Sequence, residues 1–167
     1  MTRRCANTRG AAGGVAGAGS ASAQSITNLG VLQGGHHYAG AAAVSADGSV
    51  VLGISGTQFF QNMRSFVWTR GGGAQDIGAA PDAVNTLAQA INADGTVIAG
   101  SYYTADRDVA FRWTAGGGVQ NLGTLAGATS GASAWGISHD GSVVGGTSSS
   151  ANGDRAYRWP SGGGMQD

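Results

Sequence analysis

The sequence predicts an all-β repeat protein built from four-stranded antiparallel units of about 46 residues, β-propeller-like in plan. Three observations carry that expectation. A hydrophobic-Ser/Asn-x-Asp-Gly-Ser/Thr-hydrophobic run occurs three times, at Val44 to Val50, Ile91 to Val97 and Ile137 to Val143. Each run is followed by an aromatic-x-Trp triplet (Phe66 to Trp68, Phe111 to Trp113, Tyr157 to Trp159) and then by three glycines (Gly71 to Gly73, Gly116 to Gly118, Gly162 to Gly164). The third observation is compositional: 32 glycines, no Lys and no Glu, with Ser, Thr and Val abundant, disfavour helix and favour turns and strands. The Asp-Gly pairs step by 47 and 46 residues and the tryptophans by 45 and 46. A fixed period of this size marks units that bury their apolar faces against one another.

Residues 1–23 read as an export leader. Arg3, Arg4 and Arg9 make a positive head, Ala11 to Gly19 is an Ala/Gly/Val run, and Ala21-Ser22-Ala23 has the small-x-small form of a cleavage site. The Arg3-Arg4 pair resembles a twin-arginine leader, although Cys5-Ala6 stands where a bulky hydrophobic pair is usual. Residues 24–167 are then the β repeat domain. A lone strand is expected at 25–30, because Ile26 to Gly30 aligns with Val119 to Gly123, the last strand of a unit. Units follow at about 31–78, 79–123 and 124–167, giving three blades that are partial or completed by oligomerisation.

Within a unit the order of elements is clearest in the third copy. Ala134 to Ser138 is a short apolar strand, and His139-Asp140-Gly141 is a hairpin turn, since Asp-Gly tolerates the positive φ that a tight turn needs. Ser142 to Gly146 forms the second strand and Thr147 to Asp154 a polar loop. Arg155 to Trp159 forms the third strand, the glycine triplet turns the chain, and Met165-Gln166-Asp167 opens a fourth. Earlier copies write that fourth strand as Ala74 to Gly78 and Val119 to Gly123.

Composition narrows the function classes. Nine Arg and nine Asp cancel, so no basic excess draws nucleic acid; without residues 1–23, six Arg face nine Asp, a charge of −3. Cys5 is the single cysteine and lies in the leader, which leaves the remainder without disulfides, cysteine zinc sites or thiol catalysis. No run of 18 apolar residues exists to cross a membrane as a helix. Gly-x-Ser-x-Gly, phosphate-loop and His-Glu-x-x-His signatures are absent, and a glycosidase would have to work with Asp alone. The expectation is a non-enzymatic protein without a cofactor.

The repeat resembles the HAF-family extracellular repeat of bacteria, whose molecular activity is unknown. The matching residues are Ala110-Phe111-Arg112-Trp113-Thr114-Ala115-Gly116-Gly117-Gly118, Gln120 to Leu125, Ser133-Ala134, Ile137-Ser138 and Asp140-Gly141, and the resemblance spans residues 25–167. It implies a secreted, surface or periplasmic protein, autotransporter-like in some members, and supplies no reaction. The His-Ala-Phe of the family reads Arg64-Ser65-Phe66, Val109-Ala110-Phe111 and Arg155-Ala156-Tyr157 here, so its histidine is missing from every copy.

The repeated residues Asp47, Gly48, Trp68, Asp94, Gly95, Trp113, Asp140, Gly141 and Trp159 read as structural: turns and blade packing. Calcium would want several clustered carboxylates, whereas each of these aspartates stands alone beside Gly. Binding is expected where the copies differ, because loops carry function on a fixed scaffold and aromatics favour interfaces. That singles out Phe59-Phe60 and Tyr102-Tyr103 in corresponding loops, and Trp135, which breaks the repeat. His36-His37 with His139 is a weak metal candidate, so no metal site is expected. The favoured function is a secreted binding or structural repeat protein contacting a glycan or protein surface, with self-association open. Two alternatives remain: an Asp-based propeller hydrolase, or a non-functional fragment of a longer autotransporter-like protein. Convergence of Asp82, Asp106, Asp108 and Asp154 in one cleft would favour the hydrolase; the equivalent loops of Asp106 and Asp154 predict scatter.

Overall fold

The computed structural model describes residues 26–34, 36–57 and 61–167; the expected leader lies outside them. Eleven strands and no helix occur among these residues. Blade 1 holds β1 (Tyr38–Val44), β2 (Val50–Gly56), β3 (Arg64–Thr69) and β4 (Gly73–Asp76). Blade 2 holds β5 (Asn85–Ile91), β6 (Val97–Tyr103), β7 (Asp108–Thr114) and β8 (Gly118–Asn121). Blade 3 holds β9 (Ala132–Ile137), β10 (Val143–Ser148) and β11 (Arg155–Pro160). Each blade is an antiparallel meander in chain order, so the predicted all-β repeat of blade-like sheets is the fold observed.

Local chemistry sets the meander. The Asp-Gly pairs close the β1–β2, β5–β6 and β9–β10 hairpins, with Gly48, Gly95 and Gly141 at φ of 72°, 77° and 72°. The first strand of every blade carries a β-bulge, at Ala42, Gln89 and Trp135. Opposite that strand the second strand keeps a glycine in register with the aromatic of the third: Gly53 with Phe66, Gly100 with Phe111, Gly146 with Tyr157. A Cβ at Gly53 would sit 2.3 Å from the Phe66 ring, and one at Gly146 would sit 2.0 Å from Ser133 O. These glycines admit the aromatic rings and the bulged inner strand.

The core lies between blades. Leu52 and Ile77 of blade 1 pack with Ala88, Ile98, Tyr102, Val109 and Phe111 of blade 2. Ala99, Ala110, Leu122 and Leu125 then pack with Ala134, Val144, Tyr157 and Trp159 of blade 3. The aromatic-x-Trp pairs of blades 2 and 3 therefore face the preceding blade; Phe66, Phe111, Tyr157 and Trp159 are buried and Trp68 and Trp113 half-buried. Among the described residues the three sheets do not close into a ring.

Two expectations are corrected. Residues 26–30 form no strand. A strand needs a partner ladder, and here the segment makes only the exit turn of a blade, with Gly30 N–H donating to Asn28 Oδ1 at 2.9 Å. Gly78 to Asp76 and Gly123 to Asn121 repeat that bond at 2.7 and 2.8 Å. Blade 3 has three strands, its fourth reduced to one bridge between Arg158 and Gln166.

Candidate functional site

Up-and-down connectivity gives every blade two ends. One end carries the Asp-Gly and glycine-triplet turns. Asp47 Oδ1 accepts from Ser45 Oγ at 2.7 Å, Ser49 Oγ at 2.8 Å and Ser49 N at 3.0 Å. Asp140 does the same with Ser138 Oγ, Ser142 Oγ and Ser142 N, and Asp94 with Thr96 Oγ1 and N. These hydrogen bonds lower the Asp94 carboxyl and hold Asp47 and Asp140 down at about 2. Each carboxylate is engaged by its own turn.

The other end carries the β2–β3, β6–β7 and β10–β11 loops. Between blades 2 and 3 these loops enclose a cleft of about 310 Å³, lined by Asp106, Arg107, Asp108, Ser130, Ser133, Thr147, Ser149 and Asp154 among others. Its walls are tied down. Ser149 Oγ accepts from Ser130 N at 3.1 Å and donates to Gly131 O at 3.3 Å, while Ala151 N bonds Ala126 O at 3.3 Å. Gly131 lies so close to β7 that a Cβ would fall 1.9 Å from Asp108 O. The predicted scatter of carboxylates is thus corrected for three of the four. Asp106 and Asp154 occupy equivalent loops, and neighbouring blades present equivalent loops side by side at one end. Asp82 does not line this cleft. Arg107, Ser130, Ser133 and Ser149 escaped the sequence reading, which followed aromatic side chains and had no view of inter-blade geometry. The hydroxyl-rich run Ser148-Ser149-Ser150 was the signal that could have found them.

The expected aromatics divide. Phe59 and Phe60 lie outside the described residues. Tyr102 and Tyr103 belong to strand β6 rather than to a loop, and strand alternation turns them to opposite faces. Tyr102 is buried against Phe111, ring centroids 6.4 Å apart, which places it in the core rather than at a binding surface. Burial pushes its hydroxyl up, helped by Asp82, and burial followed by Asp108 does the same to half-buried Tyr103. Trp135 is 54% exposed at the β9 bulge, its indole Nε1–H donating to Thr147 Oγ1 at 3.2 Å.

The histidines do not assemble. His36 and His37 precede β1 at the loop end of blade 1, whereas His139 sits in the Asp-Gly turn at the far end of blade 3. Among the described residues no three His, Cys, Asp or Glu side chains group as a metal site. A second cavity, about 430 Å³ and lined by Val50, Val67, Val97 and Trp113 with Gly95, opens at the turn end between blades 1 and 2.

No protein-family model matches the chain, and no curated protein matches it. Among solved structures, TolB from Acinetobacter baumannii is similar, with a TM-score of 0.56 at 14% identity. The match covers 77% of this chain and 31% of TolB, so the chain spans less than a third of that protein. At this identity the likeness shows the fold alone.

Proposed function

We propose that the chain is an exported, non-catalytic repeat scaffold that binds a hydroxyl-rich partner, such as a glycan surface, in the loop-end cleft between blades 2 and 3. One observation carries this reading: Asp106, Asp108 and Asp154, with Arg107 and the hydroxyls of Ser130, Ser133, Thr147 and Ser149, line a single bounded cleft. Carboxylates and a guanidinium supply acceptors and donors, the pairing that sugar hydroxyls need. The HAF-type repeat and the leader-like residues 1–23 support a place outside the cytoplasm. The N-terminal sequence of protein recovered from the periplasm or medium tests that placement; an uncleaved, cytoplasmic chain would refute it.

Calorimetric titration with a panel of soluble neutral oligosaccharides tests the cleft. Saturable binding that D154N and D106N abolish while the fold is retained supports it, and binding untouched by both variants overturns it. The same convergence of aspartates favours a second reading, an Asp-based hydrolase. Turnover of reporter glycosides that D106N or D154N abolishes would make that reading the correct one.

A further inference from the structure

We propose that two copies of this chain associate head to tail, the open face of blade 3 in each receiving the open face of blade 1 of the other. Two such contacts close a ring of six blades, within the range of four to eight that propellers use. The contact is the one the chain already makes twice, and its halves are visible on blade 3 and blade 1.

On the blade 3 side, forward-facing positions are more exposed than their counterparts in blades 1 and 2. Leu52 and Ala99 are fully buried at the position of half-buried Gly145; Ser65 and Ala110 are fully buried at the position of exposed Ala156. Ser101, also fully buried, corresponds to exposed Thr147, and Ser101 Oγ accepts from Ala134 N of the next blade at 3.3 Å. Ala41 holds in β1 the place of Ala134, so Thr147 Oγ1 matches Ala41 N of a second copy. Arg112 Nε reaches the turn of the next blade at Gly141 O, 3.4 Å away. Arg158 is its exposed counterpart, and Gly48 O its match.

On the blade 1 side, Ile91 and Ile137 pack into the clusters that face the preceding blade, whereas their counterpart Val44 is 57% exposed. A Cβ on Gly95 would meet Val50 at 2.7 Å and one on Gly141 would meet Val97 at 2.7 Å; at Gly48 the same space is open. Val143 is the residue that would fill it. A cavity of about 250 Å³ also separates Phe66 from residues 27–30. Finally, Ala46 N donates to Ala93 O at 2.9 Å and Ala93 N to His139 O at 3.0 Å, a link from turn to turn that His139 N and Ala46 O would continue between copies.

The edge of β11 is a separate matter. Two segments fit it, Met165 to Asp167 of the same chain and Ile26 to Asn28 of the second copy, and Gln166 already holds it through Arg158. The proposal concerns the faces alone.

Light scattering and native mass spectrometry of the full chain, from below one to tens of micromolar, read the outcome. The expected result is a dimer that A156R converts to monomer, raising the dissociation constant at least about 100-fold, with an unchanged far-ultraviolet spectrum. V44D should do the same from the other face. Mixing A156R with V44D should restore a heterodimer, since one intact blade 3 face then meets one intact blade 1 face. A monomer at every concentration, an open-ended series of masses, a dimer insensitive to A156R, or variants that fail to complement would each overturn it.

Discussion

Ser65→Ala isolates what ties one blade to the next. Ser65 is fully buried; its Oγ donates to Thr86 O at 2.9 Å and accepts from Ala88 N at 2.8 Å. Thr86 N meanwhile donates to Met63 O at 2.8 Å, so three backbone groups on the edge of β5 are satisfied by blade 1. Alanine is the natural residue at the equivalent positions 110 and 156, so the substitution introduces no steric conflict. It leaves one buried N–H and one buried C=O without their partner, at about 1–3 kcal/mol each, hence about 2–6 kcal/mol in total. Against a domain stability of about 5–15 kcal/mol that is a large loss. With a urea slope of about 2 kcal/mol/M, the midpoint should fall by about 1–3 M. Tryptophan fluorescence follows the transition, and hydrogen exchange should show the Ala88 amide losing protection. Blade 2 solves the same problem differently: Ala110 lacks the hydroxyl, and Ser101, in place of Ile54, supplies it to Ala134 N. Adding Ile54→Ser to Ser65→Ala should therefore recover a large part of the loss. A single variant within about 0.5 kcal/mol of the parent, or a double variant no better than the single, would refute the reasoning.

Three further outcomes follow from the same geometry. The Asp47 and Asp140 carboxyls titrate near 2 and the Asp94 carboxyl below its usual range, against about 3.9 in the unfolded chain. Their contribution is present above the unfolded value and disappears as pH falls from about 4 to 2; melting curves across that window should flatten when all three become Asn. Gly95→Ala should cost about 2–4 kcal/mol, combining left-handed strain with a clash against Val50, whereas Gly48→Ala should cost about 1 kcal/mol from strain alone. Phe111→Ala removes a fully buried ring from the junction of blades 1 and 2 and should cost about 3–5 kcal/mol by urea unfolding.

The hairpins were legible because Asp-Gly acts over four residues and needs no knowledge of the rest of the molecule. Blade order followed from the period. The segment 25–30 misled because its likeness to a fourth strand is real in sequence, yet a strand exists only where another strand accepts its hydrogen bonds. Tyr102 and Tyr103 misled for a related reason: aromatic pairs look like loop decorations until the sheet register assigns each to a face. Gly53, Gly100 and Gly146 were readable at the same period as Asp-Gly and went unread, although a Cβ at Gly53 would strike the Phe66 ring and one at Gly100 or Gly146 would strike the inner strand. The cleft was out of reach, since its walls come from separate segments between Asp106 and Asp154 that only the stacking of blades brings together.

That stacking also changes how differences between the copies should be weighed. Position 65 and position 110 differ, as do 54 and 101, but the two differences cancel: one hydroxyl has moved from the third strand to the second and still reaches the inner strand of the next blade. A departure from the repeat is therefore no mark of function when it faces a neighbouring blade, where packing imposes a partner change. Trp135 and Thr147 bond each other on blade 3, which no blade follows among the described residues, so their departure from the repeat is not by itself a mark of function. Departures at the loop end answer to no neighbour in that way. Asp106, Arg107 and Asp154 project from loops whose length and composition the blade does not dictate, into a cleft whose backbone is already hydrogen-bonded without them. The chemistry left unspent by the fold is concentrated there.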